Sequence, residues 1–300
     1  MASVSAWIES FRLHTLPLSL STVIMGSFLA AFHNEFHLNI FILAVLTTLF
    51  LQTVSNLAND YGDAVKGVDN EQRIGPKRGL QAGDITPRQM RNAIILFVIL
   101  SLVSGVLLIV EGTRDLEFSY GILFFILGLG AIAAAVKYTM GKNPYGYKGF
   151  GDFFVFVFFG MVGVMGTYFL HTHKLTAAEF LPAISMGCFS TGVLNLNNLR
   201  DRENDAAHGK HTLVVKLGLK NARLYHAALL TLGMLTAIVY SLIISASVLK
   251  WIYVISFIGI IRSIVVVRKN ETPEDLYPEL KRLSVSTLAF SLLFGMGLVW

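Results

Sequence analysis

The chain has little charge and almost no cysteine. Asp, Glu, Lys and Arg make up 14% of its 300 residues, against about a quarter in an ordinary soluble domain. The one cysteine, Cys188, lies in an apolar stretch. It excludes an internal disulfide and reads as a small buried residue. Several motifs are also missing: the phosphate-binding P-loop, the glycine fingerprint for dinucleotides and the nucleophile elbow. His14, His208 and His211 lack metal-ligand spacing, and His33, His37, His171 and His173 are expected in outer, interfacial loops. A cleavable leader is not expected. The first apolar run, after Arg12, lacks a small-residue cleavage site and reads as a retained span.

Apolar residues fill the space that charge leaves. They make up 54% of the chain, and mean hydropathy is +0.62. That surplus needs lipid as its solvent. Apolar segments recur at 16–33, 39–60, 93–110, 118–138, 153–170, 178–199, 224–246, 250–267 and 284–300. Each approaches the roughly 20 residues that cross a bilayer core. The run from Leu224 to Val267 is too long for one span and is divided at Lys250. The expected fold is an all-α, polytopic membrane protein of about nine transmembrane helices, forming a single domain over residues 1–300.

Nine spans predict a charge asymmetry between alternate loops. With the N-terminus inside, the cytoplasmic segments hold twenty of the 24 basic residues, beginning with Arg12. The outer loops hold only Arg114, Lys174 and Lys250, while Arg262 lies within a span. The net charge of +5 is therefore explained by topology and anionic partners rather than by nucleic acid. The location implied is a cytoplasmic (inner) membrane, with the site on the cytoplasmic face and the C-terminus outside.

Two cytoplasmic loops, roughly 61–92 and 200–223, follow asparagine-rich helix ends, begin with carboxylates and continue with basic residues. The first cluster holds Asn56, Asn59, Asp60 and Asp63, with Asp69 further on. At about 100° per residue, Asn56, Asp60 and Asp63 share a sector of roughly 60°. In the second cluster Asn197, Asp201 and Asp205 fall on one helix face, with Asn198 beside them. Crowded carboxylates repel, and near a membrane they usually face a cavity and serve function. Two such sets with Asn suit a hard divalent ion. Mg2+ fits best, held by Asp60, Asp63, Asp201 and Asp205, because it completes its shell with water and phosphate oxygens. Lys77, Arg78, Lys142 and Lys210, with Tyr138 nearby, lie in or beside glycine-bearing turns that suit a diphosphate. Arg78 and Lys142 stand out because glycine or proline marks their turns. Asp152 opens an aromatic span and has two readings: a group that orients an acceptor or acts as a base, or a helix cap. The aromatic run 153–159 also has two readings, shielding of a carbocation or packing against lipid.

These residues resemble the UbiA superfamily of intramembrane aromatic prenyltransferases. The resemblance covers essentially the whole chain. Its two acidic motifs read here as Asn59-Asp60-x-x-Asp63 and Asp201-x-x-x-Asp205. Many members carry another Asp four residues after the position of Asp63; here that residue is Gly67, and the next acid is Asp69. Within the superfamily the chain looks most like the branch that prenylates 1,4-dihydroxy-2-naphthoate in menaquinone synthesis. The runs Asn56 to Gly67, Arg73 to Gly79, Asn143 to Asp152 and Asn197 to Val215 carry that likeness. The resemblance implies Mg2+-dependent transfer of a prenyl group from a polyprenyl diphosphate that enters from lipid. Asp60, Asp63, Asp201, Asp205, Arg78 and Lys142 would act in catalysis. Asn56, Asn59, Lys77, Tyr138, Asp152, Asn197, Asn198, Lys210 and Arg12 would bind substrate. Carbon dioxide leaves the substituted position, giving a demethylmenaquinone-type product. Other acceptors, such as 4-hydroxybenzoate or homogentisate, and an ion-coupled transporter remain as alternatives. Transport fits less well, because the acids sit at helix ends and not at mid-membrane.

Overall fold

The structure is a computed structural model that describes residues 3–68, 74 and 78–300. Lys77, Asp69 and Arg73, named above, lie outside the described residues. The described chain is helical, and no strand occurs among its described residues. A short helix α1 (Val4–Phe11) leads into α2 (Leu16–Phe32), α3 (Leu38–Val65), α4 (Pro87–Thr113) and α5 (Phe118–Lys137). Then come α6 (Gly151–Thr172), α7 (Phe180–Ala207), α8 (Leu213–Ile243), α9 (Val248–Lys269) and α10 (Tyr277–Val299).

Seven of these elements are long and apolar enough to cross a membrane, or eight if the bent pair α1 and α2 counts as one span. The remaining long helix, α7, has 28 residues and fails only on polarity. It packs against α6, α8 and α10 inside the bundle, so Asn197, Asp201 and Asp205 face a cavity rather than lipid. Nine bundle helices result among the described residues, roughly consistent with the expected count of about nine. The protein is a multi-pass membrane protein. Lipid is the solvent for one face of α4 and α5, where Ile95, Ile99, Val103, Leu107, Phe118 and Ile126 are all exposed.

Helix ends differ from the hydropathy spans where charge begins. α3 runs to Val65 and α7 to Ala207, so both acidic clusters ride on helices. Ion pairs supply there what lipid contact supplies further in. α8 starts at Leu213, earlier than expected, and is interrupted at Gly218, whose φ of 73° is not helical. The long run divides near Lys250 as expected: α8 stops at Ile243, and Lys250 Nζ donates to the Ile244 carbonyl at 2.7 Å. α4 opens on a capping box in which Thr86 and Gln89 satisfy each other's backbone N–H groups. α6 is wound wider than an α-helix over Phe156–Gly166; such π segments are rare and are frequent at functional sites.

The larger core joins α2 with α6 to α10 around Met186, Phe189, Tyr253, Phe290 and Phe294. The smaller one joins α1, α3 and α4 around Leu57, Ile85 and Met90. At the end of the bundle away from the acids, His33 pairs with the buried Glu179 at 2.7 Å. His171, expected in an interfacial loop, is instead buried in α6 beside Ser27.

α3 meets the end of α5 at Gly62. A Cβ there would lie 2.7 Å from the Thr139 backbone carbon, and Thr139 Oγ1 donates to the Ala58 carbonyl at 2.9 Å. Gly62→Val is expected to push these helices apart, costing about 1–3 kcal/mol as overpacking does. Asp60 and Asp63 flank the contact, so activity should fall with the unfolding midpoint. A midpoint equal to wild type would show that the contact is soft.

Candidate active site

The end of α3 presents two buried carboxylates. Asp60 accepts from Arg12 and forms an ion pair with Arg78 Nη1 at 2.6 Å. Its Oδ2 is buried without a hydrogen-bond partner among the described residues. Asp63 accepts from the Tyr147 hydroxyl at 2.8 Å and faces Lys210 Nζ at 3.5 Å. Asn59 lines the same cavity. Asn56 does not point there. Its Nδ2 donates to the Phe11 carbonyl at 2.9 Å and to Thr15 Oγ1 at 3.0 Å. Asn56 thus fixes the turn between α1 and α2, where Arg12 adopts a left-handed φ of 49°, and that turn delivers Arg12 to Asp60.

The end of α7 presents the second pair. Arg200 grips Asp201 with Nε at 2.7 Å and Nη2 at 2.5 Å, and Nη2 also reaches Asn197 Oδ1 at 3.0 Å. A fork of this kind fixes a carboxylate in plane. The Arg200 guanidinium sits 5.6 Å from the Tyr277 ring centre. Asp205 Oδ1 is 3.5 Å from Lys210 Nζ, and its Oδ2 is buried and unpartnered. Gly209 takes φ 69°, a conformation that favours glycine. The chain therefore doubles back, Lys210 N donates to the Asp205 carbonyl at 2.8 Å, and the lysine returns over the acids. Asn198 is buried, with its Oδ1 unpartnered, and lies off the described lining of the cavity.

Burial disfavours the Lys210 ammonium, but Asp63 and Asp205 outweigh it and hold its pKa above the ordinary lysine value. Tyr147 is also raised, first by burial and then by the charge of Asp63. It stays a phenol and remains a donor.

Both clusters open into one cavity of about 440 Å³, within the usual range for a small-molecule site. Arg12, Asn59, Asp60, Asp63, Arg78, Tyr138, Asn197, Arg200, Asp201, Asp205 and Lys210 line its polar end. Leu51, Leu108, Phe124, Leu127, Phe154, Phe158, Phe159 and Leu170 line its apolar reach between α3, α4, α5 and α6. The aromatic run divides between the cavity and the outer surface. Phe154, Phe158 and Phe159 face the cavity, while Phe153 is 63% exposed on the outside.

Lys142 is exposed and lies away from this lining. Asp152 sits in the first turn of α6 with Phe150 as the cap residue; it is buried, away from the described lining of the cavity, with Oδ2 unpartnered. Sequence reasoning passed over Arg200, Tyr147 and Tyr277 as site residues. Arg200 had a usable signal, since it lies three residues after Asn197 and directly before Asp201.

Among the described residues, no three His, Cys, Asp or Glu side chains converge on one point as a metal cage. The donors present nevertheless fit a hard cation that shares its shell with a ligand. Asp60 Oδ2, Asp205 Oδ2 and Asn59 Oδ1 are hard oxygens, buried and unpartnered beside this cavity.

The membrane-helix bundle with paired acidic helix ends belongs to a known class: the UbiA prenyltransferase family pattern matches residues 19–276, and the chain belongs to that family. Among its curated relatives, the 1,4-dihydroxy-2-naphthoate octaprenyltransferase of Escherichia coli (strain K12) is 42% identical over 99% of this chain and 96% of its own length. The enzyme of the same name from Haemophilus influenzae is 41% identical over 98% and 95%. Among solved structures, a UbiA homolog from Archaeoglobus fulgidus bound to DMAPP and Mg2+ shares the fold with a TM-score of 0.66. It is 17% identical, over 98% of each chain.

Proposed function

We propose that this protein, acting as one domain over residues 1–300, transfers a polyprenyl group from polyprenyl diphosphate to 1,4-dihydroxy-2-naphthoate, with loss of carbon dioxide. The observation that carries the substrate pair is the 42% identity to the E. coli enzyme across nearly the whole of both chains. The cavity supports the chemistry, because it joins a charged end fit for a diphosphate to an apolar reach fit for a tail. The basic loops support an inner-membrane placement with the N-terminus and the charged end at the cytoplasmic face.

Arg78, Lys210 and Arg12 border the cavity and would take the diphosphate oxygens. They would hold the leaving group in place and share the charge it gains as the prenyl C1–O bond breaks. Mg2+ held by Asp60, Asp63, Asp201 and Asp205, with Asn59, would supply further stabilisation of that charge. The allylic cation left behind reacts with water unless water is excluded. Phe154, Phe158 and Phe124 border the apolar reach; they would keep it dry and offer ring faces to the cation. The electron-rich carbon that bears the acceptor's carboxylate attacks C1, and the carboxylate leaves as carbon dioxide, returning its electron pair to the ring. The product is the prenylated dihydroxynaphthalene, the quinol of a demethylmenaquinone.

Purified protein in detergent should incorporate radiolabelled prenyl diphosphate into product with the naphthoate and not with 4-hydroxybenzoate. Product with the benzoate alone would keep the mechanism and discard the acceptor.

A further inference from the structure

Each of the four carboxylates already holds a cation of the chain. Arg12 and Arg78 sit on Asp60, and Arg200 sits on Asp201. Lys210 differs from these because it reaches both clusters, with Nζ 3.5 Å from Asp63 Oδ2 and 3.5 Å from Asp205 Oδ1. It thereby ties the end of α3 to the end of α7 by charge. Its side chain is 8% exposed. Tyr147 supports it from one side, with its ring centre 5.4 Å from Nζ and its hydroxyl on the other oxygen of Asp63. The two contacts to the acids are longer than the roughly 2.7–2.9 Å of a tight charge-assisted bond. The brace is therefore loose. A lysine also suits such a post, since its ammonium is a point charge on a flexible stem, not a planar fork.

We propose that Lys210 is a placeholder cation: in the ligand-free protein it braces Asp63 to Asp205, and it turns to the diphosphate when metal and diphosphate enter together. The inference rests on the prenyl-diphosphate reading of this site and adds an order of binding to it. A divalent ion arriving alone must push the ammonium off two buried carboxylates and strand it, and a stranded buried charge is penalised heavily. It would also find too few protein donors, since no three carboxylates converge among the described residues. A diphosphate solves both problems. It gives the ammonium a new anion and gives the metal the oxygens it lacks. Metal and diphosphate should therefore bind synergistically, each tightening the other by the same factor.

The test is Mn2+ binding to the purified full chain, followed by electron paramagnetic resonance, with and without inorganic pyrophosphate. Wild type should bind Mn2+ weakly alone and about tenfold or more tightly with pyrophosphate, within the range of ordinary coupling. Lys210→Met should bind Mn2+ alone about tenfold more tightly than wild type and lose most of the pyrophosphate effect. Lys210→Arg, which keeps a cation, should restore the synergy. Melting curves would report whether each variant is folded. Wild-type Mn2+ affinity indifferent to pyrophosphate would overturn the proposal without recourse to any variant. A folded Lys210→Met with unchanged Mn2+ affinity and intact synergy would overturn it too, while leaving the function standing. Failure of wild type to bind Mn2+ under either condition would overturn the metal reading of the site along with the placeholder.

Discussion

Asp60→Asn and Asp201→Asn are each expected to lower prenyl transfer by about 10³-fold, close to 4 kcal/mol of transition-state stabilisation. Both carboxylates line the cavity. Each would lose a full charge at the point where leaving-group charge must be balanced. Asparagine keeps the shape and one acceptor oxygen, so the surroundings need not rearrange. The folded state should survive. For Asp201→Asn the abandoned Arg200 is buried, 3% exposed, but it keeps Asn197 Oδ1 as an acceptor at 3.0 Å. For Asp60→Asn the abandoned partners are not sealed away. Arg12 and Arg78 are 17% and 11% exposed, and both border the open cavity. Water there can solvate a guanidinium that has lost its carboxylate, so the cost should fall well below the roughly 3–5 kcal/mol of a fully buried broken pair. Activity assays on purified variants, with gel filtration and unfolding midpoints beside them, check both halves. Normal turnover by either folded variant would remove the acidic clusters from the chemistry.

Chelation should have an effect as large. With excess EDTA, turnover is expected to drop to background and to return when Mg2+ is restored. The reason is the charge balance at the cavity mouth. Arg12, Arg78, Arg200 and Lys210 face Asp60, Asp63, Asp201 and Asp205 in close contacts, four charges against four. That end of the cavity therefore has almost no net positive charge to offer a diphosphate. A divalent ion would reverse the balance by occupying the acids and releasing the cations. Full turnover in excess chelator would refute the metal requirement and leave the cations alone to stabilise the leaving group.

Much of the fold was legible because lipid imposes one simple rule on long helices. The expected spans 16–33 and 118–138 fall within a residue of α2 and α5. The break near Lys250 was visible because a charge near the middle of a 44-residue, mostly apolar run needs an exit. Helix ends were less legible. The expected spans end at Asp60 and Leu199, yet the helices continue to Val65 and Ala207 because paired charges replace lipid there.

The acids were legible in the site, and their partners were less so. Spacing put Asn56, Asp60 and Asp63 in one sector, but the turn at Arg12 claims Asn56 for itself. Lys142 and Lys210 look alike in sequence, each directly after a glycine. Only the backbone return at Gly209 brings Lys210 over the acids, and local sequence does not encode where a return leads. Tyr147 comes to Asp63 across 84 positions, a contact that no helical period announces.

The wide winding of α6 has a consequence for the shape of the cavity. The residues of α6 that line it come at 154–155, 158–159, 162–163, 166–167 and 170, a repeat of four. On a regular α-helix a step of four overshoots one turn by about 40°, so four such steps would spiral the stripe by about 160° around the axis. The looser turns of Phe156–Gly166 take up that overshoot. The stripe becomes a straight rail along the helix, with Gly163 and Gly166 on the same line leaving it shallow where bulkier residues would rise. A long, flexible chain can lie along such a rail without having to coil around its host.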